Sequence, residues 1–177
     1  MSHIESFGYV CVVLSFAAIV ICYVTPYWLI GDGDYIIHPV HKGLLALCNN
    51  DTCTWLVNDR QIHDQLPVWF KATQGLMSSA LALGILALIV ATLSLCCTCH
   101  SCNPHQPICG FLIVASLCIA VAVVVFGIKA NQEWKIDFQM DISSSGRFGW
   151  SFWTAIGAAG GALLTSVIYC CMDRKSS

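Results

Sequence analysis

Ionisable side chains are what this 177-residue chain has least of: Asp, Glu, Lys and Arg make up 10% of it, against 57% hydrophobic residues. Four apolar runs, about 8–25, 76–97, 108–128 and 150–172, contain no Asp, Glu, Lys, Arg or His. At 1.5 Å per residue, each run can cross the roughly 30 Å apolar layer of a bilayer as a helix. A soluble domain of this size could not cover so much apolar surface. The same absence removes the intramembrane charges that mark proton relays and ion pathways, so transport through a helix bundle is not expected. A net charge of -2 argues against nucleic acid as a partner. There is no Gly-x-Ser-x-Gly elbow or phosphate loop, and the histidines are scattered over termini and loops. No enzyme constellation emerges, and neither cofactor nor catalytic residue is expected.

Lys and Arg are also missing from Met1 to Tyr9, and no small-x-small cleavage site precedes Pro26-Tyr27-Trp28. The first run therefore reads as a span rather than a signal peptide. Trp28, Trp69, Trp134, Trp150 and Trp153 lie near run ends, where an amphipathic ring prefers the headgroup level, and are expected to act as interface anchors. The expectation is a single membrane domain over residues 1–177.

With four spans, the termini share one side with the short loop 98–107, and the loops 27–74 and 129–149 share the other. The basic residues oppose the simplest orientation. Arg174 and Lys175 lie on the first side, whereas Lys42, Arg60, Lys71, Lys129, Lys135 and Arg147 lie on the second. A closely spaced cysteine pair and a glycosylation sequon in the first long loop favour an oxidising side for that loop, and hence cytosolic termini.

That loop carries most of the local information. Leu44-Leu45-Ala46-Leu47 and Thr54-Trp55-Leu56-Val57 flank Asn49-Asn50-Asp51, which tolerate turn geometry, so a β-hairpin is expected. Cys48 and Cys53 would face each other across it. A disulfide there constrains the unfolded chain by roughly 2 kcal/mol; the alternative is two reduced cysteines that pack. Asn50-Asp51-Thr52 is a sequon, with Asn50 the acceptor if a glycan fits so near the pair. Asp32-Gly33-Asp34 reads either as a solvated turn or as an acidic cluster that biases ion passage. Over 27–74 five Asp oppose three basic residues, and placement outweighs the sum because screening acts over about 8 Å.

A second cysteine group, Cys96, Cys97, Cys99, Cys102, Cys170 and Cys171, sits at the ends of the second and fourth runs, where reversible palmitoylation is common. Cys96-Cys97-Thr98-Cys99-His100 also matches a haem-attachment pattern, and with Cys102 and His105 the set could supply zinc ligands. Haem attachment needs the opposite orientation, and zinc needs four ligands converging from one short loop, so neither haem nor metal is expected. In the last run, Gly157 and Gly161 form a small-xxx-small pair suited to close helix packing. The partner is expected inside the bundle, against Ser79, Ala80 and Gly84, with a lateral contact between copies as the alternative.

Trp28, Gly43-Leu44, Cys48 and Cys53 resemble the signature of the claudin, peripheral myelin protein, epithelial membrane protein and calcium-channel gamma-subunit superfamily. Within it the chain most resembles an invertebrate-type claudin-like protein. Arg147-Phe148-Gly149-Trp150-Ser151-Phe152-Trp153 is similar to the start of the last span in the myelin and gamma branches. Gly160-Gly161-Ala162-Leu163-Leu164 with Cys170-Cys171 is similar to that span in claudins. Leu45 departs from the signature, which has Trp there, and the cysteines are closer together than in typical claudins. The ending Arg174-Lys175-Ser176-Ser177 lacks the hydrophobic terminus a PDZ groove captures, so no direct PDZ scaffold is expected.

The resemblance implies a left-handed four-helix bundle, all-α in the membrane, with a small extracellular β-sheet across its top. It also implies a plasma-membrane protein at cell-cell contacts that seals or lines the paracellular space by binding itself or related proteins, in cis and in trans. The alternative it offers is an auxiliary subunit beside an ion channel or receptor.

Overall fold

The computed structural model describes residues 3–31, 40–49, 52–97, 103–134 and 146–176. Four helices carry the apolar runs: α1 (His3–Val24), α3 (Val68–Cys96), α4 (His105–Trp134) and α5 (Trp150–Ser176), with a short α2 (Arg60–Gln65) before α3. All four long helices have the length and apolarity needed to cross a membrane.

Two of them outrun their apolar segments. α3 has 29 residues and α4 has 30, about 43 and 45 Å at the helical rise, well beyond the bilayer's apolar layer. Loss of apolarity marks where lipid ends, and a helix need not end there. The extension of α4 is held by a Lys129–Glu133 ion pair at 3.7 Å and by the Trp69 indole, whose Nε1 donates to Glu133 Oε2 at 2.6 Å. Pro107 falls in the first turn of α4, where its missing N–H costs nothing.

α5 packs against α1 and α4, and α3 against α1 and α4. Lipid offers no hydrophobic drive between helices, so side-chain hydrogen bonds and small residues hold the bundle together. Tyr9 meets Thr92 at 3.3 Å and Tyr23 meets Ser78 at 2.5 Å, joining α1 to α3. Ser15 meets Thr165 at 3.1 Å, joining α1 to α5, and Ser116 donates to the Ala159 carbonyl at 2.8 Å, joining α4 to α5. Gly84 lets the Phe16 and Ile19 side chains of α1 approach α3.

Across one end of the bundle lies an antiparallel sheet. Its strands are β1 (Leu29–Gly31), β2 (Val40–Lys42), β3 (Ala46–Asn49), β4 (Thr52–Trp55) and β5 (Arg147–Phe148), in the order β4-β3-β2-β1-β5. The first long loop supplies four strands and the second supplies β5, so both loops close into one cap.

Candidate functional site

The segment Thr25–Trp28 joins cap to bundle. α1 ends at Val24, which leaves its last carbonyls without intrahelical donors. Pro26, placed where the next N–H would serve Cys22, has none to give. The Trp28 indole replaces it: Nε1 donates to the Cys22 carbonyl at 2.6 Å. Its ring is fully buried, edge-on to Phe126 at 4.9 Å and to Phe152 at 5.8 Å. Trp28 is thus a core residue and not the interface anchor expected from its position. Trp150 and Trp153, both half-exposed, suit that role.

Two glycines close on the same segment. A Cβ on Gly43 would stand 2.5 Å from Pro26 Cα and 2.9 Å from the Thr25 carbonyl oxygen, and one on Gly149 would collide with the Tyr27 carbonyl. That proximity aligns four hydrogen bonds. Trp28 N donates to Lys42 O at 3.1 Å, Gly149 N to Trp28 O at 2.8 Å and Ser151 N to Tyr27 O at 3.1 Å, while the Thr25 and Ser151 hydroxyls meet at 2.6 Å.

The hairpin lies at the outer edge of the cap. Cys48 stands opposite Cys53 in the β3–β4 register and the two form a disulfide. Leu44 and Leu45 do not extend β3. The chain bends after Gly43, burying Leu44 fully and half-burying Leu45, whose carbonyl accepts from Leu56 N at 2.8 Å. Every side chain of β4 is exposed, Trp55 among them at 48%, followed by Val57 at 72%. An exposed strand at a sheet edge leaves backbone groups open to pairing, and Trp55 adds a large apolar side chain beside them. Asn50, Asp32 and Asp34 lie outside the described residues.

Beneath this cap, between α1 and α3, is an open cavity of about 480 Å³ lined by Tyr23, Leu45, Val57, Arg60, His63, Lys71, Gln74, Gly75 and Ser78. Its basic residues come from elements that only the fold brings together, so nothing in the sequence marks it.

At the opposite end, α3 stops at Cys96 and the Cys97 N–H closes its last turn on Leu93 O at 2.8 Å. Cys96, Cys97 and Cys171 are exposed and free. Cys170 corrects the expectation of a free acyl acceptor: it is bonded to Cys109 of α4, with Cα atoms 5.9 Å apart. A sulfur in a disulfide has no thiol to acylate, so Cys170 is an acceptor only where the pair is reduced, as on a reducing side of the membrane. Cys99 and Cys102 lie outside the described residues.

The small-residue stretch of α5 also differs from expectation. A Cβ on Gly161 would look toward Ser15 of α1 at 3.8 Å, and Gly157 has nothing within 4 Å of such a Cβ. The neighbours of α5 are α1 and α4, so the pair does not seat on Ser79, Ala80 and Gly84 of α3.

No individual curated protein matches the sequence. The model of the PMP-22/EMP/MP20/Claudin family matches residues 4–169, from the start of α1 through both loops of the cap and well into α5, and the chain belongs to that family.

Proposed function

We propose that the chain forms barrier or adhesion contacts between cells through the cap built from its first long loop, with the cap extracellular and the termini cytosolic. It is a multi-pass, claudin-like membrane protein and not an enzyme. The observation that carries the proposal is the outer hairpin, whose edge strand turns Trp55 and its neighbours outward while the disulfide pins it. An exposed edge of this kind pairs with a second copy or with a related protein, in the same membrane or the opposite one.

Expression in a polarised epithelium tests this. The chain should concentrate at cell contacts, raise transepithelial resistance and self-associate in cells that lack junctions. Uniform surface staining and co-purification with a large channel would instead assign an auxiliary-subunit role. Protease protection reads the orientation independently, and a protected cap would overturn the proposal.

Mild cation preference is the finer part of the reading, supported by the acidic balance of the first loop. Asp32→Asn with Asp34→Asn should reduce the cation bias of dilution potentials across an expressing monolayer. Unchanged potentials would remove Asp32 and Asp34 as selectivity residues. Acylation of Cys96, Cys97 and Cys171 at the opposite face would tune packing and location in the membrane.

A further inference from the structure

We propose that the cavity between the cap and helices α1 and α3 binds the phosphate of an anionic phospholipid headgroup. Its polar rim joins Arg60 and His63 of α2 to Lys71 of α3, and the Tyr23, Ser78 and Gln74 side chains add polar groups below. Among the described residues no carboxylate lines it. Asp59, the nearest in sequence to Arg60, is turned away to cap α2, where Oδ1 accepts from Gln61 N at 3.1 Å and from Ile62 N at 3.3 Å. Among the described residues, neither Arg60 nor Lys71 makes an ion pair. Asp64 follows four residues after Arg60 on α2 but does not line the cavity, so among the described residues these cations share a concavity of about 480 Å³ with no carboxylate in its wall.

Depth selects a lipid as the source of the anion. Tyr23 is the penultimate residue of α1, and its hydroxyl meets Ser78 at 2.5 Å, so the floor lies at the last turn of a membrane-length apolar helix. Gly75 adds no polar side chain beside the floor, and Val57 at the rim and Val24 at the end of α1 are exposed apolar side chains that acyl chains can follow away from the headgroup. Leu45, half-buried, closes the cap side of the cavity. A phosphate diester without its own cation fits this arrangement better than a zwitterionic headgroup. Each basic side chain near such a charge is worth roughly fivefold in affinity, so Arg60 and Lys71 together give about 25-fold.

Native mass spectrometry of the full chain in detergent, titrated with dioleoylphosphatidylglycerol or dioleoylphosphatidylcholine, tests the proposal. The wild type should retain the first about 25-fold more tightly, and Arg60→Gln with Lys71→Gln should bring the two lipids to parity without lowering the melting temperature. Gly75→Leu keeps every charge and meets no atom within 4 Å at its Cβ, yet its longer side chain fills the floor and should abolish the preference. Equal retention by the wild type, or a preference that survives both variants, would overturn the site. Inorganic phosphate is the competing arm. Failure to displace the lipid supports a headgroup site, whereas displacement at low concentration would overturn the lipid as occupant and leave a site for soluble phosphate.

Discussion

Replacing Trp28 tests the join between cap and bundle most directly. Trp28→Ala removes a fully buried indole, a change that typically costs 3–5 kcal/mol. It also strips the Cys22 carbonyl of the donor that Pro26 cannot supply. Trp28→Phe separates the two effects: the ring contacts with Phe126 and Phe152 persist while the N–H is lost, which costs about 1.5 kcal/mol for an acceptor left unpaired. At roughly 3 °C per kcal/mol for a chain of this length, thermal unfolding of detergent-solubilised protein should fall by about 12 °C for Ala and about 4 °C for Phe. Trp153→Ala, at a half-exposed site, is the control and should lose less than either. If Trp28→Ala melts no lower than Trp153→Ala, Trp28 does not couple the two layers and the account of the join fails.

Gly149→Ala should destabilise by about 3 kcal/mol, because its Cβ must push the Tyr27 carbonyl away and break the Gly149–Trp28 and Ser151–Tyr27 hydrogen bonds; an unchanged melting temperature would refute the crowding argument. Cys48→Ser with Cys53→Ser should cost about 2 kcal/mol, seen as faster hydrogen exchange in β3 and β4 with the four long helices unaffected. Exchange that quickens throughout the bundle would show the disulfide to be more than a local pin. Hydroxylamine-sensitive acyl capture should find Cys96, Cys97 and Cys171, while non-reducing digestion recovers Cys109 linked to Cys170. Acyl groups on Cys170 would show that this bond is absent in the cell.

The four spans were legible because the absence of charge is a property of each segment alone, and so was the hairpin, whose two runs and turn are contiguous. What the sequence concealed depends on distant pairing. β5 has two residues, too few for any periodicity, and exists only because β1 offers Leu29 and Ile30 as partners. Arg60, His63 and Lys71 look like ordinary loop charges until α2 folds back beside α3. Nearness to a run end does not reveal that Trp28 is buried. Nothing near Cys170 in the chain points to Cys109, 61 residues away on another helix.

The family signature divides into two mechanical roles, and the geometry shows why they need not fail together. Trp28 and Gly43, with Gly149 from the second loop, act on one segment. The indole completes α1, and the two glycines let backbone strands close on residues 25–28 from either side. Their bonds fall on one short stretch of backbone, so damage at one position displaces the others and their costs should not add. Cys48 and Cys53 stand apart on β3 and β4, at the end of the sheet away from β1 and β5, and touch none of these bonds. A cap fixed to the bundle on one side and crosslinked on the other leaves only its outer edge to vary, and that edge carries the exposed Trp55. If that edge makes the proposed contacts, their specificity can change along β4 without disturbing the join between cap and bundle.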